Sequence, residues 1–271
     1  MSGEDRLVPV LLYHSVSDAP SQDVHFAVSR AQFEAHADAI QASGRATVSI
    51  SDLARALRGE SSLPPRVAVI TFDDGFADNY EAVLTLLDRQ LRSTLYIITG
   101  EIGSPHRLTR SQVAELAWMP SVELGAHTVR HHYLDELDDC GIGDEIGSSK
   151  RALEDVVQRP VRSFAYPHGA YDRRVRQAVI DAGYQSAVGV KNALSHLEDD
   201  PYAIARWTVT ADTPATRIAE VLAGRDVPRA WSRERVRTRA YRTARRARRR
   251  VTGVLANGGA RAGGAGAIGA R

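Results

Sequence analysis

Two adjacent carboxylates, Asp73 and Asp74, followed by Gly75, close the most apolar run of the chain, Arg66–Phe72. His127 and His131 stand four residues apart, a spacing that puts both imidazoles on one side of a helical turn, as in paired zinc-binding histidines. Pro167-His168-Gly169 and Tyr13-His14 end two further apolar runs. Each set alone has a plain explanation: Asp-Gly makes turns, and two such histidines make an ordinary polar surface turn. Taken together they suit an open catalytic metal site. Two histidines and one carboxylate supply three ligands and leave a position for water. The second aspartate is then free to act as base on that water. A cation would also offset the repulsion that otherwise raises the pKa of one of two neighbouring carboxyls.

These residues share a place in the expected fold. Short β-branched runs alternate with helical patterns: strands at Val8–Tyr13, Thr47–Ile50, Arg66–Phe72, Thr94–Thr99, Val122–Ala126, Ser163–Tyr166, Gln185–Val190 and Ala203–Val209. Helices are expected between them, the first capped by Ser29, another over Ile146–Val157 and a last one near Thr216–Leu222. The alternation argues for parallel βαβ units. No GxGxxG opens a helix after a strand, so a distorted (β/α) barrel of about seven parallel strands fits better than an open doubly wound sheet. In such a barrel the reactive side chains stand at the C-terminal strand ends, where all four sets lie.

The 271 residues are 43% apolar and 25% charged, ordinary for a globular chain. One cysteine, Cys140, excludes an internal disulfide and a multi-cysteine metal site. No apolar stretch approaches a spanning helix, and the first residues lack the pattern of a signal peptide. The expected location is cytoplasmic, with peripheral contact to a membrane as an option. The near-neutral charge hides an asymmetry: residues 229–271 hold 13 arginines and one acid, while residues 1–228 hold 22 basic and 32 acidic residues. Residues 1–228 are therefore expected to be a single catalytic domain. Residues 229–271, Arg-rich then Gly/Ala-rich, are expected to be a helical or disordered tail. An anionic membrane surface would suit the tail. Nucleic acid is disfavoured, since no recognition motif accompanies the arginines, and a ratio of 33 arginines to 2 lysines points to composition bias.

Thr71-Phe72-Asp73-Asp74-Gly75 and His127-Thr128-Val129-Arg130-His131 resemble the first two signature motifs of the polysaccharide deacetylases, carbohydrate esterase family 4 or the NodB-homology group. Phe164-Ala165-Tyr166-Pro167-His168-Gly169 resembles the third. The resemblance covers roughly residues 7–210. It implies a distorted (β/α) barrel that hydrolyses the N-acetyl group of a sugar such as N-acetylglucosamine. It implies one divalent ion, zinc by the donor set, on Asp74, His127 and His131, with Asp73 as base. Tyr166, Pro167 and His168 would line the groove, the His168 amide facing the oxyanion. The expected partner is an N-acetylated sugar, oligosaccharide or glycan precursor.

The pattern also departs from the family. His132 replaces a proline and reads as a loop residue, and His168 replaces an aromatic. The arginine that braces the base is open between Arg162 and Arg206. No histidine follows His196 to serve as the C-terminal acid. Val10-Leu-Leu-Tyr13-His14-Ser-Val16 resembles a circularly permuted branch similar to poly-N-acetylglucosamine deacetylases, which implies His14 as the acid. His25, His36, His106 and His196 are read as surface residues and Trp118 and Trp207 as core; Tyr171 is a candidate for stacking on a sugar. The competing readings are a non-catalytic carbohydrate-binding protein on the same barrel and a metal-free hydrolase of cyclic amides. The intact set Asp73, Asp74, His127 and His131 weighs against both.

Overall fold

The computed structural model describes residues 7–20 and 24–231. Residues 1–230 form one compact unit, to which all described residues but Trp231 belong. Arg229 and Ala230 still pair with the unit through Leu194. The rest of the expected tail lies outside the described residues. Among the described residues no helix is long and apolar enough to cross a membrane.

The elements are β1 (Leu7–Val8), β2 (Val10–Tyr13), α1 (Arg30–Ala42), β3 (Ala46–Thr47), α2 (Ile50–Leu57), β4 (Val67–Phe72), α3 (Asn79–Asp88), β5 (Ser93–Ile97), α4 (Arg110–Leu116), β6 (Val122–Ala126), α5 (Asp139–Val157), β7 (Ser163–Ala165), α6 (Arg173–Asp181), β8 (Ser186–Val188), β9 (Ser195–His196), β10 (Trp207–Thr208) and α7 (Ala215–Leu222). Seven parallel strands run in the order β10-β2-β4-β5-β6-β7-β8, and the two-residue β3 adds to β4. β1 and β9 make a separate antiparallel pair. The sheet curls into a distorted (β/α) barrel. Beyond β8, Ile204 bridges to Val188, and three residues later β10 pairs with β2, so the run from 204 to 208 joins the two edges.

Local chemistry explains the elements. Every residue of β4 is buried, which suits a parallel strand covered on both faces. Ser29 caps α1, as expected, by accepting from the Gln32 amide. Ser49 with Asp52, and Thr109 with Gln112, form capping boxes on α2 and α4. α5 begins seven residues before the expected start. Asp138 caps it by accepting from the Gly141 amide, and the helix runs through Gly141 and Gly143.

Register aligns the strand ends at one rim. Tyr13 pairs with Phe72, Ile97 with Ala126, and Ala165 with Val188. The residues that follow, His14, Asp73, His127 and Tyr166, emerge side by side.

Candidate metal centre and active site

Three donor atoms converge on this rim. His127 Nε2 and His131 Nε2 are 3.1 Å apart, and Asp74 Oδ1 lies 3.5 Å from the first and 3.4 Å from the second. Tetrahedral ligands at about 2.0–2.1 Å from a common centre are about 3.3–3.4 Å apart. The triangle has the size of three corners of that tetrahedron. Asp74 Oδ1 is buried and accepts no hydrogen bond, a costly state for a carboxylate oxygen without a cation. Asp74, His127 and His131 thus fit a divalent ion by donor type, spacing and unmet valence.

The surroundings prepare these donors. The Ala165 carbonyl can only accept, so His127 Nδ1–H donates to it at 2.8 Å, which leaves the lone pair on Nε2 facing the triangle. Burial pushes the His127 pKa down to about 3, and that of His131 also falls, chiefly through burial. Both rings are neutral at pH 7, the form that ligates metal. Burial pushes the Asp74 carboxyl up to about 6, partly offset by His14. Asp74, Thr128, His131 and His168 all have positive φ, 73°, 66°, 60° and 57°. Such sparsely populated conformations gather at sites whose surroundings enforce them.

Asp73 is the opposite case. Burial alone would raise its pKa, but the Arg206 guanidinium, followed by His127, holds it well below the usual carboxylate range. Arg206 Nη1 and Nη2 donate to Oδ1 and Oδ2 at 2.6 and 2.7 Å, and the arginine is wholly buried. Of the two arginines left open by sequence, Arg206 is the brace. Arg162 is exposed at the start of β7, on the far side of the barrel from the rim.

Sequence reasoning also missed Glu145. Its buried carboxylate accepts from the Val129 and Arg130 amides, each at 2.9 Å, and from the Arg130 guanidinium at 2.9 Å. It pins the loop that presents His131. Thr128 Oγ1 assists by accepting from the His131 amide at 2.9 Å. The early part of α5 carries Glu145, and two glycines disguised it as loop. His132 Nδ1 lies 3.4 Å from Glu145 Oε1, in keeping with a loop residue rather than a fourth ligand.

Other expected residues fall as follows. His14 lies near enough to both aspartates to lower their pKa values, and its ring stacks on Phe26 at 4.9 Å. His168 is exposed, stacked on Tyr133 at 3.8 Å and tilted against His131 at 4.4 Å. The Tyr166 ring belongs to the core: it stacks on Tyr171 at 4.3 Å and its hydroxyl donates to the Tyr202 carbonyl. Tyr171 is therefore engaged by the protein itself.

Three expectations require correction. His36 and His196 are buried rather than on the surface. His36 Nε2–H donates to the Thr213 carbonyl at 2.8 Å and its Nδ1 accepts from the Tyr13 hydroxyl. Trp118 is 67% exposed, not core, with the Arg159 guanidinium 4.8 Å from its ring centroid. Val113, Leu116 and Ala117 already fill the inner face of that helix end, which turns the next residue outward.

In a (β/α) barrel, acid and imidazole side chains gathered at the C-terminal rim stand where barrel enzymes place their active sites. Residues 60–187 match the model of the polysaccharide deacetylase family, which marks this stretch as a polysaccharide deacetylase domain. The match contains Asp73, Asp74, His127, His131 and His168 but neither His14 nor Arg206. The chain is 28% identical over 204 residues to the Bacillus subtilis (strain 168) protein named "Putative polysaccharide deacetylase YxkH", covering 75% of this chain and 71% of that one. It is 26% identical over 137 residues to the poly-beta-1,6-N-acetyl-D-glucosamine N-deacetylase of Escherichia coli (strain K12), covering 45% of this chain but only 20% of that protein. In fold it is similar to the Streptococcus pyogenes deacetylase PplD, with a TM-score of 0.73 at 21% identity, covering 80% of this chain and 98% of that one.

Proposed function

We propose that this protein hydrolyses the N-acetyl group of an N-acetylated sugar, oligosaccharide or glycan precursor, releasing acetate and a free amine. One divalent ion, zinc in this reading, would be held by Asp74, His127 and His131. The observation that carries the reading is the donor triangle with its unbonded Asp74 oxygen, set beside an aspartate kept ionised by Arg206. The activity named for the Escherichia coli relative supports a polymer of the poly-N-acetylglucosamine type as substrate class.

When bound, the ion supplies Lewis-acid chemistry, polarising the acetamide carbonyl and acidifying water. Asp73, ionised and fixed by Arg206, takes the proton of the attacking water. The His168 amide donates to the carbonyl oxygen as negative charge develops there. His14 protonates the departing nitrogen, since an unprotonated amide nitrogen is a very poor leaving group.

The division of labour between the aspartates is the test. Asp73→Asn is expected to keep the ion and lose about 10²–10⁴-fold in deacetylation, while Asp74→Asn loses the ion. The reverse outcome exchanges the roles. Unchanged metal content in both His127→Ala and His131→Ala removes the ligand assignment.

A further inference from the structure

Asp78 occupies the N-cap of α3, a position where aspartate is favoured because its side chain bonds the first free amides of the helix. Here it makes no such bond, and its backbone is already helical at φ −69°, ψ −16°. Both carboxylate oxygens reach instead to a distant part of the chain. Oδ2 accepts from the Ser15 hydroxyl at 2.6 Å, and Oδ1 from the Val16 amide at 3.0 Å. Asn79, fully buried, donates through Nδ2 to the His14 carbonyl at 2.7 Å and to Asp78 Oδ1 at 3.0 Å. Two consecutive residues thus grip three consecutive residues of the other loop, His14–Val16. The gripping pair begins four residues after Asp74.

The His14 ring has few restraints of its own. It stacks on Phe26, and its Nδ1 is buried without a hydrogen bond. Working histidines commonly have one nitrogen tied to a carbonyl or carboxylate, which fixes ring and tautomer. His127 has such a tie to Ala165 and His14 does not. The position of His14 is therefore set through its backbone, and its backbone is held by Asp78 and Asn79.

We infer that Asp78 and Asn79 are positioning residues for His14, transmitting the geometry of the Asp73-Asp74 loop to the loop that carries the proton donor. The inference rests on the proposed role of His14 as acid. Because α3 starts directly from the aspartate loop, the clamp keeps His14 in register with the base even though the two come from different strands. A displacement of about 1 Å at a reacting group can cost about 100-fold in rate, so a clamp of this kind has a measurable effect.

The test is a double-mutant cycle on the full chain loaded with zinc, reading acetate release from an N-acetylglucosamine oligomer. Asp78→Ala removes no helix cap and no fully buried group, so it carries the test if Asn79→Ala fails to fold. Asp78→Ala is expected to lower kcat by about 10- to 100-fold with KM and bound zinc unchanged. The same substitution in His14→Ala should change the residual rate less than about twofold, as expected of residues acting as one unit. Imidazole NMR signals of His14 should shift in Asp78→Ala while those of His127 and His131 stay. Equal loss with and without His14, or loss of zinc, overturns the positioning role and makes the clamp merely structural. Wild-type turnover in His14→Ala overturns the acid assignment itself, and the positioning role with it.

Discussion

Arg206 and Asp73 meet through two parallel bonds of 2.6 and 2.7 Å, closed off from solvent. Of the three remaining N–H donors of the fork, one goes to the Gly189 carbonyl and one to the Thr71 hydroxyl. Only arginine has this planar, bidentate geometry. The pair does two things at once. It keeps the proposed base ionised, and it fastens the run joining β8 to β10 against the end of β4. Because the native Asp73 pKa is depressed, the pair contributes stability above the unfolded carboxyl value of about 4, which is lost as pH falls below it.

Removing one member of that pair leaves a buried charge without compensation. Arg206→Met is expected to destabilise the protein by about 3–5 kcal/mol, read by chemical denaturation at pH 7. Arg206→Lys should recover only part of this, because an ammonium cannot bond both carboxylate oxygens side by side. A loss below about 1 kcal/mol in Arg206→Met would mean that the pair does not anchor the barrel.

His36 gives a second, pH-dependent expectation. Burial lowers its pKa, with the Thr213 hydrogen bond opposing. A histidine held neutral in the native state stabilises above its unfolded pKa of about 6.5, and that contribution is lost as pH falls through the window below. Zinc-loaded protein should therefore show a falling Tm between about pH 6.5 and 5. The decline should be shallower in His36→Gln, whose amide still bonds Tyr13 and Thr213. Parallel declines in the two proteins would exclude His36 as a source of the acid sensitivity.

The legible parts of the site were those that local pattern dictates. The apolar run of β4 announced a buried strand, and the aspartates after it and the i, i+4 histidines were readable as types and spacing. Arg206 was readable only as one of two candidates for the brace, beside Arg162. It lies 133 residues from Asp73 in a run that is regular strand only at Trp207–Thr208, and its partner is fixed only once the barrel curls. His36 could have been found, because Phe33, His36, Ala37 and Ile40 lie at i, i+3, i+4 and i+7, the buried stripe of α1. Its polarity concealed it. Glu145 was hidden by the glycines of α5, and the Asp78–Ser15 contact by its long separation in sequence.

The stack of Tyr133 on His168 leads to a prediction about substrate recognition. At 3.8 Å and 15° between planes it holds the exposed imidazole beside His131, at the wall of the proposed sugar groove. Tyr133→Ala should raise KM for an N-acetylglucosamine oligomer by about 2- to 12-fold, matching the 0.5–1.5 kcal/mol of an aromatic pair. Tyr133→Phe should leave KM near wild type, and bound metal should be unchanged in both. Loss of metal in Tyr133→Ala would show that the stack supports His131 rather than the substrate.

In the proposed reaction, deacetylation depends on an ion held by Asp74, His127 and His131. The most direct measurement is acetate release from an N-acetylglucosamine oligomer by protein stripped with chelator and then titrated with zinc. Release should be absent from the stripped protein and rise to a plateau at about one equivalent per chain, as for a single three-ligand site. Undiminished release from the stripped protein, or none at any zinc level, would contradict the account.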